Sequence, residues 1–139
     1  MISLAIEDKK NFMKKLFKEN IFDNFFVTYI EIVNFANFEI KTKQNPQSWQ
    51  ILKPYAYNII KGNETPKSMK IIFTLSEEIS NKINPDYEFF LNLYFQNELY
   101  FTTGTSPKKF TLDKSINYIW EDYVKNFMNK NLIQYISIE

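Results

Sequence analysis

Phe89-Phe90-Leu91-Asn92-Leu93-Tyr94-Phe95-Gln96-Asn97-Glu98-Leu99-Tyr100-Phe101 is the stretch on which the fold turns. Phe89, Leu91, Leu93 and Phe95 recur at every second position, the spacing that puts one set of side chains on a single face of an extended strand. Gln96-Asn97 interrupts the pattern and Leu99 and Phe101 resume it, so the segment predicts a β-hairpin. Tyr94 and Tyr100 fall on its other, more polar face.

The same period-2 pattern appears on both sides of the hairpin. Met69, Ile71, Phe73 and Leu75 predict a strand within 66–75, and Ile2, Leu4 and Ile6 predict one at the start of the chain. From Phe25 to Thr42 the residues are β-branched or aromatic, which fits two strands or one long bulged strand, with Asn34 and Asn37 the only turn signals. Leu132, Gln134, Ile136 and Ile138 predict a final strand. Gly104 to Lys109 reads as a loop leading into Phe110-Thr111-Leu112.

Helical segments alternate with these strands. Asp8 can cap a helix with an apolar stripe of Phe12, Met13, Leu16 and Phe17, its lysines largely outward. Ser48 can cap a short turn holding Trp49 and Leu52. Pro54 is suited to open a further helix, with Tyr55, Ile59 and Ile60 inward and Gly62 at its end. Ser76-Glu77-Glu78 starts a short piece that Pro85 closes. Asp113 caps the most regular helix, in which Ile116, Ile119, Trp120, Tyr123, Val124, Phe127 and Met128 recur at spacings of three and four. The expected fold class is α+β, a mainly antiparallel sheet with about three to four helices packed on it, in a single domain over 1–139.

With 139 residues, 45% hydrophobic and rich in aromatics (14 Phe, 9 Tyr, 2 Trp), the chain suits one packed core. Seventeen basic and 16 acidic residues leave a formal charge of +1, too little to steer a polyanion. Every basic residue is Lys, which removes the planar fork that reads phosphate and guanine best. Cysteine and histidine are both absent, and with them disulfides, thiolate nucleophiles, Cys/His zinc sites and imidazole proton shuttles. The opening residues turn acidic at Glu7-Asp8 and supply no apolar leader. No run approaches the length of a membrane span, so the expectation is a cytoplasmic protein without a membrane partner.

Several segments carry chemistry and a plainer reading together. Thr102-Thr103-Gly104-Thr105-Ser106-Pro107-Lys108-Lys109 offers hydroxyls, backbone amides and two ammonium groups to an anion, so Thr103, Gly104, Thr105, Ser106, Lys108 and Lys109 are candidate ligand-binding residues. The stretch lacks the Gly-Lys-Ser/Thr of a phosphate loop, and Gly and Pro are also ordinary turn residues. Lys61-Gly62-Asn63-Glu64-Thr65-Pro66-Lys67 is a second polar rim that reads as punctuation between helix and strand. A Ser106 nucleophile paired with Lys108 or Lys109 would need a desolvated lysine, for which a polar loop is a poor place. Glu77/Glu78 and Glu121/Asp122 diverge on a helix by about 100° rather than converge on one bond. Asp86 and Glu88 show too few oxygen ligands for a hard cation. The row Lys10, Lys14, Lys18 is the water-facing side of an amphipathic helix. No catalytic residue, metal site or cofactor is indicated.

Ile60-Lys61-Gly62 with Thr65-Pro66, Thr102-Thr103-Gly104-Thr105-Ser106, and Phe110-Thr111-Leu112-Asp113-Lys114 with Trp120 resemble a family of small uncharacterised proteins from low-GC anaerobic bacteria, a domain of unknown function. That resemblance implies no activity. The layout of strand, helix, long β segment, helix and further strands is similar to one domain of a DNA polymerase processivity clamp, a likeness of layout that licenses no function. The reading that fits the residues best is a non-enzymatic binding or protein-interaction module with Tyr94, Tyr100 and Tyr135 as surface candidates and a protein partner or a second copy as occupant. An anion- or phosphate-binding protein or enzyme using 102–109 is the first alternative, and a clamp-like nucleic-acid-associated protein the second.

Overall fold

A computed structural model describes residues 2–60 and 66–138. The elements are β1 (Ser3–Ile6), α1 (Lys9–Lys18), β2 (Phe26–Val33), β3 (Asn37–Lys41), β4 (Gln47–Ser48), α2 (Trp49–Ile60), β5 (Ser68–Thr74), α3 (Glu77–Ile83), β6 (Tyr87–Gln96), β7 (Glu98–Pro107), α4 (Ser115–Lys130) and β8 (Tyr135–Ile138). Among the described residues the class is α+β: an antiparallel sheet of eight strands with four helices. Its strand order is β3-β2-β5-β6-β7-β1-β8, and the two-residue β4 also pairs with β2.

The β6–β7 hairpin is the spine, with Leu91 opposite Thr103, Leu93 opposite Phe101 and Phe95 opposite Leu99. Asn97 turns it at a φ of 66°, in the left-handed region that asparagine tolerates better than most side chains. Of the two readings of 25–42 the two-strand one is realised and the single long strand is not, because the chain turns back at 34–36. Two strands form, β2 and β3, and β2 carries an irregularity between Val27 and Tyr29. The final strand pairs with β1.

One face of this sheet is roofed. Leu4, Val27, Ile30, Ile32, Ile71, Phe73, Phe89, Leu91, Leu93 and Phe101 point into it and are almost wholly buried. They meet Phe12 and Leu16 of α1, Trp49, Leu52 and Ala56 of α2, and Ile116, Trp120, Val124 and Met128 of α4 in a single cluster. Phe22, in the connection from α1 to β2, has no exposed surface. Its ring lies 5.3 to 6.1 Å from those of Phe12, Phe25, Phe73, Phe101 and Phe127, which come from helices, sheet and connection alike. Both indoles satisfy their N–H inside this core: Trp49 Nε1 donates to Leu16 O and Trp120 Nε1 to Phe90 O, each at 2.9 Å. Lys53 ties α2 to the same connection, 2.6 Å from Asp23 Oδ1 and 3.0 Å from Glu19 O.

Several local expectations need correction. Pro54 does not open a new helix; α2 runs unbroken from Trp49, with Pro54 inside it and Ser48 Oγ accepting from Ile51 N at 3.4 Å. The proline forfeits one backbone hydrogen bond, but burial of Trp49, Leu52 and Ala56 holds the helix together. That continuity rotates Tyr55 outward to 63% exposure, while Ile59 and Ile60 stay against the core. On α4, Ile119 is likewise exposed, and Asp113 sits one residue before the cap position, accepting from Ser115 N at 2.9 Å. Residues 104–107 are strand, not loop. In the last segment Leu132 has a φ of 58° and lies outside β8, so Ile133 and Tyr135, not Ile136 and Ile138, turn toward the core. Gly62, expected to end α2, lies outside the described residues.

The Phe22 lattice sets a stability test. Phe22→Ala removes a ring that five others surround and should cost about 3–5 kcal/mol in equilibrium urea unfolding. Phe35→Ala, at a position 91% exposed, should move the same measurement by no more than about 0.5 kcal/mol.

Candidate functional site

Strand alternation that sends Leu91, Leu93 and Phe101 inward sends their neighbours to the opposite face, where none of the described helices α1, α2 or α4 buries a residue. Cross-strand register lines these neighbours into rows. The first runs Glu39, Glu31, Lys70, Tyr94, Tyr100, Ala5, Ile136. The second runs Lys41, Tyr29, Ile72, Asn92, Thr102, Ser3, Ile138. A third holds Ser48, Phe26, Thr74, Phe90 and Gly104.

The first two rows interlock. Tyr94 and Tyr100 stack with ring centroids 5.2 Å apart, and the Lys70 ammonium lies 5.5 Å from the Tyr94 ring and 5.8 Å from that of Tyr29. Tyr29 donates its hydroxyl to Glu31 Oε2 at 3.1 Å. Partial burial, then that hydrogen bond and the negative charges of Glu31 and Glu39, push the Tyr29 phenol up to about 12. Asn92 Nδ2 donates to Thr102 Oγ1 at 3.3 Å.

The second and third rows floor a depression of about 1030 Å³. Phe26, Ile72 and Phe90 give it apolar ground; Thr28, Thr74 and Asn92 give neutral hydrogen-bonding groups. It crosses β2, β5, β6 and β7, roughly 14 Å at ordinary strand spacing. Lys41 and Lys43 stand at its β3 end and Lys108 at its β7 end, with Glu77 and Glu88 along the side.

Gly104 stands in the floor opposite Phe90. Its backbone is not in the left-handed region, so the conformation is open to any residue. A Cβ there would meet only ordinary contacts, 3.9 Å to Phe90 Cβ and 4.0 Å to Asn92 Nδ2. Glycine weakens a strand interior. Neither φ nor crowding demands it here, and its one visible consequence is the space left above the sheet.

The residues singled out in 102–109 are divided by the pleat. Thr103 and Thr105 turn toward the helices. Thr103 is 1% exposed, its hydroxyl accepting from Ile2 N at 3.2 Å, and the Thr105 hydroxyl donates to Asn117 Oδ1. Gly104 and Ser106 turn to the open face, opposite Phe90 and Glu88. The β6–β7 ladder extends through Pro107, so 102–107 is extended strand and not a loop that curls its amides around an anion, and Lys108 and Lys109 follow as exposed residues. Beside Thr103 and Thr105 lies a smaller cavity of about 220 Å³, which Tyr87, Asn117, Trp120 and Glu121 help to line. Asp113, at its rim, is fully exposed, and hydrogen bonds from Ser115 hold its carboxyl below the usual range.

Of the tyrosine candidates, Tyr94 and Tyr100 share the open face, whereas Tyr135 packs on the helix side opposite Ile6. Of the rim 61–67, residues 61–65 lie outside the described residues. The third row was missed in the sequence. The alternation already put Phe89 in the core and Phe90 on the other face, but only the register shows that Phe90 lines up with Phe26, Thr74 and Gly104. Among the described residues no group of three or more acids could hold a metal ion, and no helix is long and apolar enough to cross a membrane.

These features define an α+β protein whose antiparallel sheet is covered by α1, α2 and α4 on one face, while the other is aromatic and open, with α3 at one side of its depression. The chain belongs to a family of unknown function, DUF5721, whose sequence model matches residues 15–136. No curated protein and no solved structure matches it.

The Tyr29 cluster gives a spectroscopic test. Because the folded phenol titrates above the ordinary value of 10, the folded state favours the neutral form. Its stabilising contribution is intact below pH 10 and is lost as pH rises through about 12. Absorbance titration should show one tyrosine ionising near 12 that disappears in Tyr29→Phe and moves down in Glu31→Gln.

Proposed function

We propose that this protein is a non-catalytic binding module that takes a segment of a partner protein into the trough on its open sheet face. The observation that carries the reading is Gly104: a strand position with ordinary backbone and room for a side chain is left empty beside Phe90, its cross-strand neighbour. Glycine inside a strand marks a bulge, a tight bend or a close approach by a ligand or another backbone, and the β6–β7 register runs through Gly104 without a shift, which leaves close approach.

The lining speaks to the kind of segment. Apolar ground on Phe26, Ile72 and Phe90 suits apolar side chains, and the threonine and asparagine groups suit a peptide backbone. Lys41, Lys43 and Lys108 against Glu77 and Glu88 leave the lining almost balanced, a poor match for a polyanion. Lys70 is further drawn onto the tyrosine rings. Lysines at both ends favour acidic residues flanking an uncharged middle.

Peptide selection on the immobilised chain tests this. Enriched sequences should be apolar in the centre and acidic at the ends, and should lose at least tenfold in affinity for Gly104→Val, whose added side chain occupies the trough. Valine favours strands, so the variant should unfold no earlier than the parent. Failure to enrich any sequence, or peptides that bind Gly104→Val as well as the parent, would count against the trough.

A further inference from the structure

The two edges of the sheet are built differently. The β3 edge carries Glu39 and Lys41, paired at 3.3 Å, charges of the kind that discourage edge-to-edge association. The β8 edge has no such guard, since every residue from Leu132 to Ile138 is uncharged. Ile136 and Ile138 are 55% and 56% exposed on the open face, beside the small Ala5 and Ser3 of β1.

Ladder geometry settles which backbone groups of β8 are unused. Glu7 N donates to Gln134 O, and Thr103 N to Ile2 O, so β1 turns its even residues to β7 and its odd residues to β8. In an antiparallel pair the bonded residues alternate, which commits Gln134, Ile136 and Ile138 to β1 and turns the N–H and C=O of Tyr135 and Ser137 outward.

We propose that β8 pairs with β8 of a second copy, antiparallel about a two-fold axis through Ile136. This register is self-complementary. Tyr135 of one copy faces Ser137 of the other across the hydrogen-bonded positions, and the two Ile136 side chains meet at the close-approach position on the axis. Each Ile138 then lies opposite Gln134, and no charged side chain opposes its own copy. A charged partner strand would find no counter-charge here, whereas the same uncharged strand fits itself. The axis stands perpendicular to the sheet, so both open faces lie on the same side of one continuous sheet. Four-residue strands make a modest interface, so association should be reversible and concentration-dependent. The inference does not rest on the trough.

Sedimentation of the whole chain from micromolar to millimolar concentration tests it, with thermal unfolding in parallel. The parent should pass from monomer to dimer across the series. Ser137→Pro deletes an outward N–H that the chain itself does not use, and Ile136→Lys places two ammonium groups at the axis. Each should raise the dimer dissociation constant at least tenfold, and Ser137→Pro should keep the parent's low-concentration unfolding temperature. If Ser137→Pro disturbs the monomer, Ile136→Lys alone decides. A parent monomeric at every concentration, or a dimer that persists in Ile136→Lys, would overturn the proposal.

Discussion

The aromatic lattice around Phe22 determines which side of the sheet the helices take. Its ring touches residues from α1, α4, β5 and β7 and shows no surface to water, so these elements meet at one point and on one face. Once that face is filled, pleating leaves every alternate side chain of five strands on the other side. The open rows are therefore the geometric complement of the core. Both tryptophans reinforce the arrangement by spending their N–H groups on backbone carbonyls of neighbouring elements, Leu16 and Phe90.

What lies on the open side is not the charged surface that a water-facing sheet ordinarily shows. Phenylalanine, isoleucine and tyrosine occupy its middle with neutral hydroxyls and amides between them, and a charge set among them, Lys70, lies over the Tyr29 and Tyr94 rings. Half-buried aromatics gathered on one face form the kind of patch that marks an interaction site. The absent side chain at Gly104 turns a flat aromatic surface into a trough. The Tyr94–Tyr100 stack and the Lys70 contacts hold the neighbouring row in a fixed arrangement.

Much of this architecture was legible in the residues because period-2 and period-3.6 patterns are direct consequences of one-sided burial. The β6–β7 hairpin, the first strand, the cap at Asp8 and the apolar face of α4 could all be read that way. Misreadings came where a local rule met a stronger tertiary demand. Pro54 marks a helix boundary in isolation, but three buried side chains carry α2 through it. Gly104, Ser106 and Pro107 look like loop punctuation, yet β6 offers a partner of equal length and the ladder extends to Pro107. Near the chain's end, apolar residues occupy both phases of the alternation, so sequence alone could not say that Tyr135 faces the helices and Ile136 the open side. Strand order, and with it the rows that assemble the trough, depends on pairings between residues as distant as Ser3 with Thr102 and Ser3 with Ile138, which no local pattern reports.

The account stands or falls on the open face being bare in the folded chain. Relaxation of side-chain NMR signals by a soluble gadolinium chelate measures that directly. Strong broadening is predicted for Asn92, Tyr94, Tyr100 and Thr102, alternating with protection of Leu91, Leu93 and Phe101 along the same two strands. Equal protection of both sets would mean that the second face is covered, and would contradict the account.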